Sequence, residues 1–142
     1  MGFPLGSQEL AHECLRRQEV DNTLKEKLKG LTFNLIMVFT DAPGNEDRQL
    51  EIILKNGKFI SVVARSEPAP SSELRSTAFD KEKFDAKGIG DHQTFYDLVS
   101  GKLHLLEALK KVNIVGDFGK LMLQLNGFLS FIEFLGSMDI EP

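Results

Sequence analysis

Two carboxylates of this sequence could take part in catalysis if the fold buries them. An Asp or Glu inside an apolar site can act as a general acid or base, because burial raises its pKa. Asp97 and Glu133 are the two carboxylates that are embedded in apolar sequence. They support the hypothesis of a small enzyme that acts on a hydrophobic substrate, and this hypothesis stays open at this point.

The other reactive residues lack the spacing of known sites. His12, His92 and His104 lie far apart and form no HxH or HExxH motif, and His104, between two leucines, is expected to be the most buried of them. Cys14 is the single cysteine, so an intramolecular disulfide, a thiolate zinc site and a CxxC pair are excluded. Gly88-Ile89-Gly90 lacks the third glycine of a dinucleotide-binding motif. The sequence therefore predicts a protein that is not an enzyme, with no catalytic residue, no metal ligand and no cofactor.

The bulk composition is that of one globular domain covering residues 1–142. The chain is 42% hydrophobic and 27% charged, and its length allows one hydrophobic core. Its net charge is −4 and its basic residues are scattered, so no nucleic-acid partner is expected. It contains no uninterrupted apolar stretch of ~18 residues and no signal-peptide pattern. With a single cysteine, these features predict a cytoplasmic protein.

The elements of the first half are a helix and three strands. Ser7 can cap a helix that runs to about Lys29, with Gly30 as its stop. Alternation of apolar residues predicts strands over 32–40 and 49–55. Asn56-Gly57 is typical of a type I′ turn and predicts a hairpin with a strand over 58–64. Residues 65–83 show no period and are expected to form a long surface loop.

The second half is expected to be mainly helical. After a short strand over 84–89, Asp91 can cap a helix that ends at Ser100-Gly101. A short helix follows, and its apolar residues are Leu103, Leu106 and Leu109. The sequence then predicts a strand over 112–115, a helix that carries Leu121, Met122 and Leu125, and an apolar helix over 128–138.

Apolar side chains of an adaptable kind are abundant. The chain has eleven Phe, four Met and no Trp. Aromatic and thioether side chains can line a loosely shaped cavity, but a domain of this size needs the same residues for its core. Composition alone favours a packed core and a cavity equally.

The order of features over residues 95–125 resembles the sterol carrier protein 2 family. It consists of the run Phe95-Tyr-Asp-Leu-Val-Ser-Gly-Lys-Leu103, Ala108, the run Val112-Asn-Ile-Val-Gly-Asp117, Leu121 and Leu125. The upstream order of helix, strand, hairpin and short strand is similar as well, so the resemblance covers roughly residues 8–130. Two departures are Lys110-Lys111, where the family usually has a glycine, and the longer segment 65–83.

The resemblance implies an α/β (α+β) fold, with a curved, mainly antiparallel sheet of about five strands and helices on one face that enclose an apolar tunnel. It implies non-catalytic binding or transfer of a lipid or fatty-acyl ligand, such as a fatty acid, a fatty acyl-CoA or a sterol-like molecule. The expected tunnel lining is Phe33, Leu35, Met37, Phe39, Phe95, Leu98, Leu106, Met122 and Leu125.

The apolar C-terminal helix has two alternative roles. Phe128, Phe131, Ile132 and Leu135 share one helical face. This face is expected to form a lid over the tunnel or an interface, because an apolar patch of that size is rarely left in water. The interface alternative makes the chain a protein-interaction or dimerisation module. Transient contact with a membrane and a homodimer are therefore the further partner hypotheses.

Overall fold

The computed structural model describes residues 2–142 and has an α+β fold. Its elements in chain order are β1 (Phe3–Pro4), α1 (Gln8–Val20), α2 (Leu24–Lys27), β2 (Phe33–Ala42), β3 (Glu46–Lys55), β4 (Lys58–Pro68), α3 (Ser72–Arg75), β5 (Ala86–Asp91), α4 (His92–Val99), α5 (Leu105–Lys111), β6 (Asn113–Gly116), α6 (Phe118–Leu123), α7 (Leu125–Gly136) and β7 (Ile140–Glu141). The predicted fold class is confirmed.

Five strands form the main sheet in the order β4-β3-β2-β5-β6. The central pair β2–β5 is parallel and the other three pairs are antiparallel, so the sheet is mixed and open. β1 and β7 form a separate parallel pair that joins the two ends of the chain. The parallel pair is possible because a long connection, residues 69–85, returns the chain from β4 to the side of β2.

The predicted hairpin is confirmed, and its turn is attached to the segment that precedes β2. Asn56 and Gly57 both have positive φ, 51° and 75°, as a type I′ turn requires. The Gly57 N–H donates to the carbonyl oxygen of Leu31 at 2.9 Å, which attaches the turn to the segment that precedes β2.

Strand β2 separates two hydrophobic clusters because successive side chains point to opposite faces of the sheet. Phe33, Met37 and Phe39 belong to the larger cluster, which lies under α1 and α4–α7. Ile36 and Val38 belong to a smaller cluster on the opposite face. Six of the seven helices in residues 2–142 contribute buried residues to the larger cluster, so the helices lie mainly on one face of the sheet, as expected, and only the four-residue α3 contributes to the smaller cluster.

The smaller cluster is covered by part of segment 65–83, which is not the plain surface loop that the sequence predicts. Residues 65–68 continue β4, and Ser72–Arg75 form α3, which places Leu74 in the smaller cluster. Asp47, whose side chain is fully buried, accepts hydrogen bonds from the Ser71 N–H at 2.9 Å and from Arg75 Nε at 2.7 Å. It also accepts from the nearby Asp41 N–H at 2.9 Å. The contacts with Ser71 and Arg75 were not predictable, because these two donors lie more than twenty residues away in sequence.

The first helix is shorter than predicted. It ends at Val20, and α2 follows after a break. The Asp21 carboxylate accepts hydrogen bonds from the backbone N–H of Thr23 at 2.9 Å and from its hydroxyl at 2.7 Å. This local turn competes with helix continuation, which explains the break. Among residues 2–142, no helix combines the length and apolar character needed to cross a membrane.

Candidate functional site

An apolar cavity lies between the sheet and helices α4–α7. Its volume is about 70 Å³. This is smaller than the tunnel expected from the sequence. All fourteen residues of its wall are glycine or apolar, namely Leu35, Met37, Gly88, Phe95, Leu98, Leu105, Ala108, Leu109, Val112, Ile114, Leu121, Phe128, Phe131 and Ile132.

The floor of the cavity is formed by the middle of the sheet. Leu35 pairs with Ile52 on one side and with Ala86 on the other, and both partners are buried, yet Leu35 keeps part of its surface exposed. That remaining surface faces the cavity, since Leu35 is one of its lining residues. Gly88 lies next to Met37 in the register and leaves a gap in the floor, because it has no side chain.

Helix α5 forms one wall through residues spaced for a single helical face. Leu105, Ala108, Leu109 and Val112 follow the pattern i, i+3, i+4 and i+7, and all four line the cavity. His104 caps this helix, because its Nδ1 accepts a hydrogen bond from the Leu106 N–H at 3.2 Å. The sequence interpretation took Leu103, Leu106 and Leu109 as the apolar residues of this helix and therefore selected Leu106. The i, i+3, i+4, i+7 pattern from Leu105 was the signal that would have found this wall.

Helix α7 forms another wall. Phe128, Phe131 and Ile132 line the cavity, and Leu135 is buried in the main core. This helix begins at Leu125, earlier than the predicted start at residue 128, and Gly127 is helical and packs close to Leu31. The apolar face of α7 is thus turned to its own sheet.

The cavity brings together four of the nine residues that were expected to line a tunnel. Leu35, Met37, Phe95 and Leu98 line it. Phe33 and Phe39 lie behind the wall, where they contact Phe128 and Phe95 edge to face at centroid distances of 5.1 and 4.8 Å.

The three other residues of that set do not reach the cavity. Leu106 and Met122 are exposed on the outer surfaces of α5 and α6, while Leu125 is half-buried against the main core. In the two short helices α5 and α6 the inward side chain is the neighbour at the preceding position, Leu105 or Leu121. An assignment shifted by one residue on a helix turns a side chain by about 100°, which moves it from the inside to the surface.

The reactive side chains lie outside the cavity. Asp97 is half-buried and accepts a hydrogen bond from Gln93 Nε2 at 2.9 Å, and Glu133 is exposed. The enzyme hypothesis based on these two carboxylates is thus not supported by their position. Cys14 is buried in the main core, where burial raises the pKa of its thiol to about 12. In the part of the chain that the structure describes, no three His, Cys, Asp or Glu side chains are grouped as metal ligands.

The histidines correct another expectation. His104 is exposed, whereas His92 is the buried histidine, with 3% of its surface accessible. His92 is the first residue of α4 and its ring stacks on Tyr96. Its Nε2 has no hydrogen-bond partner among residues 2–142.

Two polar contacts attach the cavity wall to the start of β2. Gln124 lies between α6 and α7, and its Oε1 accepts from the Thr32 N–H at 2.8 Å while its Nε2 donates to the Thr32 carbonyl at 2.9 Å. Lys120 Nζ contacts Asp85 Oδ1 at 2.9 Å, and the other oxygen of Asp85 accepts from the Asn34 N–H at 2.7 Å. These contacts close the α6 side of the cavity.

The fold is similar to that of solved sterol carrier proteins. A crystal structure of sterol carrier protein 2 matches with a TM-score of 0.71 and 14% identity, over 94% of this chain and 98% of that chain. A conserved hypothetical protein from Thermus thermophilus matches with a TM-score of 0.72 and 15% identity, over 99% and 96%. Sterol carrier protein 2 from Yarrowia lipolytica, in its apo form, has a TM-score of 0.52 and 14% identity, over 92% and 88%. No protein-family model and no curated protein matches the sequence. The predicted resemblance is confirmed at the level of the fold.

Proposed function

We propose that this protein binds a lipid-like molecule, without altering it chemically, in the cavity between β2, β5 and helices α4–α7. The observation that carries the proposal is a wall made only of apolar residues, in a fold shared with proteins named as sterol carriers. An apolar wall offers no hydrogen bond to a polar substrate, so it selects for hydrocarbon.

The cavity must expand to accept such a ligand. A volume of about 70 Å³ has room for only a few water-sized groups. The wall that can yield is the one made by short helices, because α5 and α6 span seven and six residues and are exposed on their outer sides. The sheet floor is held by continuous strand pairing and is expected to stay in place.

Burial of hydrocarbon supplies the free energy for this expansion. Each methylene moved from water into the cavity contributes about 0.8 kcal/mol, so a dozen methylenes offset the usual cost of association. Fatty acids, fatty acyl-CoA and sterol-like molecules all present enough apolar surface. Their polar end would stay at the mouth, where Leu109, Val112 and Ile132 are partly exposed.

Gly88 offers a direct test of the proposal. A Cβ at this position would lie 3.5 Å from Val112 Cγ1, which is an ordinary contact, so a Cβ fits there without strain. We expect Gly88→Leu to fill the cavity and to abolish binding of a fluorescent fatty acid, while it leaves the protein as stable as the wild type or more stable. Fluorescence titration measures the binding, and thermal unfolding measures the stability.

Gly88→Ala is the matched control, because it adds only the Cβ and leaves most of the cavity free. We expect this variant to bind the fatty acid as the wild type does. Wild-type protein that binds no long-chain fatty acid or sterol, or a folded Gly88→Leu variant with unchanged binding, would contradict the proposal.

A further inference from the structure

We propose that the outer surfaces of α5 and α6 dock on an anionic lipid bilayer and bring the mouth of the cavity against it. This inference deepens the proposed function and rests on it. Four of the seven large apolar side chains that are exposed in residues 2–142 belong to these two short helices, namely Leu106, Phe118, Met122 and Leu123. Leu123 is the most exposed of the seven, at 88%.

These side chains are unusual because they do not serve the interior. On both helices the cavity is lined by other residues, such as Leu105 on α5 and Leu121 on α6. Each of these two helices therefore has one or more apolar side chains that line the cavity and one or more further apolar side chains that face solvent. Exposed apolar side chains grouped on a few elements mark an interaction surface, whereas scattered ones need no explanation.

The charge of the same segment identifies the partner as an anionic surface. Residues 100–124 contain four lysines and two carboxylates, a net charge of +2, whereas the rest of the chain carries −6. Among the described residues, Lys102 and Lys111 form no ion pair, and both are exposed. Apolar side chains beside unpaired lysines match the headgroup region of a bilayer that contains acidic lipids.

The mouth of the cavity lies next to the proposed docking surface on α5 and α6. Leu109, Val112, Ile114 and Ile132 line the cavity and are partly exposed, and the first three lie on α5, at its C-terminal cap and on the strand that links α5 to α6. Contact of α5 and α6 with a bilayer would therefore place an apolar opening beside the acyl chains. The ligand could then move between the membrane and the cavity without passing its hydrocarbon through water, which removes the main cost of transfer.

Vesicle co-sedimentation tests the docking surface. We expect the wild type to bind phosphatidylcholine vesicles that contain phosphatidylserine, and to bind less as salt rises. Leu123→Glu should lower the partition onto these vesicles by roughly tenfold, because it removes apolar burial and adds repulsion. Val20→Glu and Ile60→Glu are matched controls, since Val20 and Ile60 are exposed at 67% and 56% outside α5 and α6, and both variants should bind as the wild type does.

The lysines are tested in the same assay. Lys102→Gln combined with Lys111→Gln should weaken binding to the anionic vesicles, while Lys55→Gln combined with Lys58→Gln, two exposed lysines at the hairpin, should not. Equal losses in both pairs would show a diffuse charge effect and would overturn the proposal, as would unchanged binding by Leu123→Glu.

A second readout separates this inference from the proposed function. Binding of a fluorescent fatty acid in the absence of vesicles depends on the cavity alone and should be the same in Leu123→Glu and in the wild type. If the fatty acid binds but vesicles do not, the docking inference fails and the proposed function stands. If the fatty acid does not bind, the proposed function fails, and the docking proposal fails with it.

Discussion

His92 is a buried histidine in a site that disfavours its charged form. Burial lowers its pKa from the ordinary value of 6.5, and the nearby positive charge of Arg48 lowers it further, while Asp91 acts in the opposite direction. Its Nε2 has no hydrogen-bond partner among residues 2–142, so an Nε2–H of the charged form would find no acceptor there. The folded protein therefore binds a proton at this residue less readily than the unfolded chain does.

We predict that His92 makes the stability fall as the pH falls below about 6.5. In that range His92 binds a proton in the unfolded chain but stays neutral in the folded protein, so unfolding becomes more favourable. Above pH 6.5 the histidine is neutral in both states and its contribution is fully present. The fall ends once the pH passes the lower pKa of the folded state.

The measurement is the free energy of unfolding by denaturant between pH 8 and pH 5, for the wild type and His92→Phe. The variant should lose the pH dependence in this window. It should keep the loss of stability at lower pH, where Glu13 and Asp47, whose pKa values are both lowered to about 2, become protonated. An equal slope in both proteins between pH 8 and pH 5 would refute the assignment to His92.

At the scale of elements, the junction of α6 and α7 is the point where the cavity wall is attached to the segment before β2. Gln124 attaches this junction to Thr32 by two hydrogen bonds of 2.8 and 2.9 Å. Gln18 of α1 makes the same type of contact with Phe59, at 2.6 and 2.8 Å, away from the cavity. The two glutamines form a natural pair for comparison.

We predict that Gln124→Ala increases hydrogen exchange in α6 and α7 and accelerates uptake and release of the fatty acid. The loss of two hydrogen bonds should lower the free energy of unfolding by about 1–3 kcal/mol. Gln18→Ala should cost a similar amount and leave ligand exchange unchanged. Stopped-flow fluorescence gives the rates of fatty-acid uptake and release. Equal changes of these rates in the two variants would show that the α6–α7 junction does not control ligand exchange.

At the scale of the whole molecule, the C-terminal helix bears on the oligomeric state. Phe128, Phe131 and Leu135 are buried against the sheet of their own chain, with at most 6% of their surface accessible. We predict that native mass spectrometry finds the 15.9 kDa monomer, with extra mass from a retained lipid, and no dimer held by α7. A dimer that disappears on substitution of Ile132, the half-buried residue of this face, by Glu would contradict the prediction.

Much of the architecture could be predicted because its causes are local. The Asn56-Gly57 turn, the alternation along β2 and the Asp91 cap of α4 depend on a few neighbouring residues, and the structure contains all three. The order of features over 95–125 also pointed to the observed fold. Such signals arise from backbone preferences and from side-chain periodicity, which are present before the chain folds.

The identity of the residues that line the cavity depended on tertiary structure. Whether Leu105 or Leu106 faces inward is set by where α5 begins, and His104, the residue before the helix, caps that start. Asp47 accepts a hydrogen bond from Ser71, which is 24 positions away, and Gln124 contacts Thr32, which is 92 positions away. No local sequence pattern predicts either contact.

Residue type and spacing predict most of the longer helices and strands and the excess of apolar side chains, although α3 was not predicted. That these side chains enclose a cavity of about 70 Å³ follows only from the folded structure. Cavity volume is the small difference between the space that the elements enclose and the volume of the side chains inside it. It depends on the distance between helices and sheet, which every long-range contact helps to set.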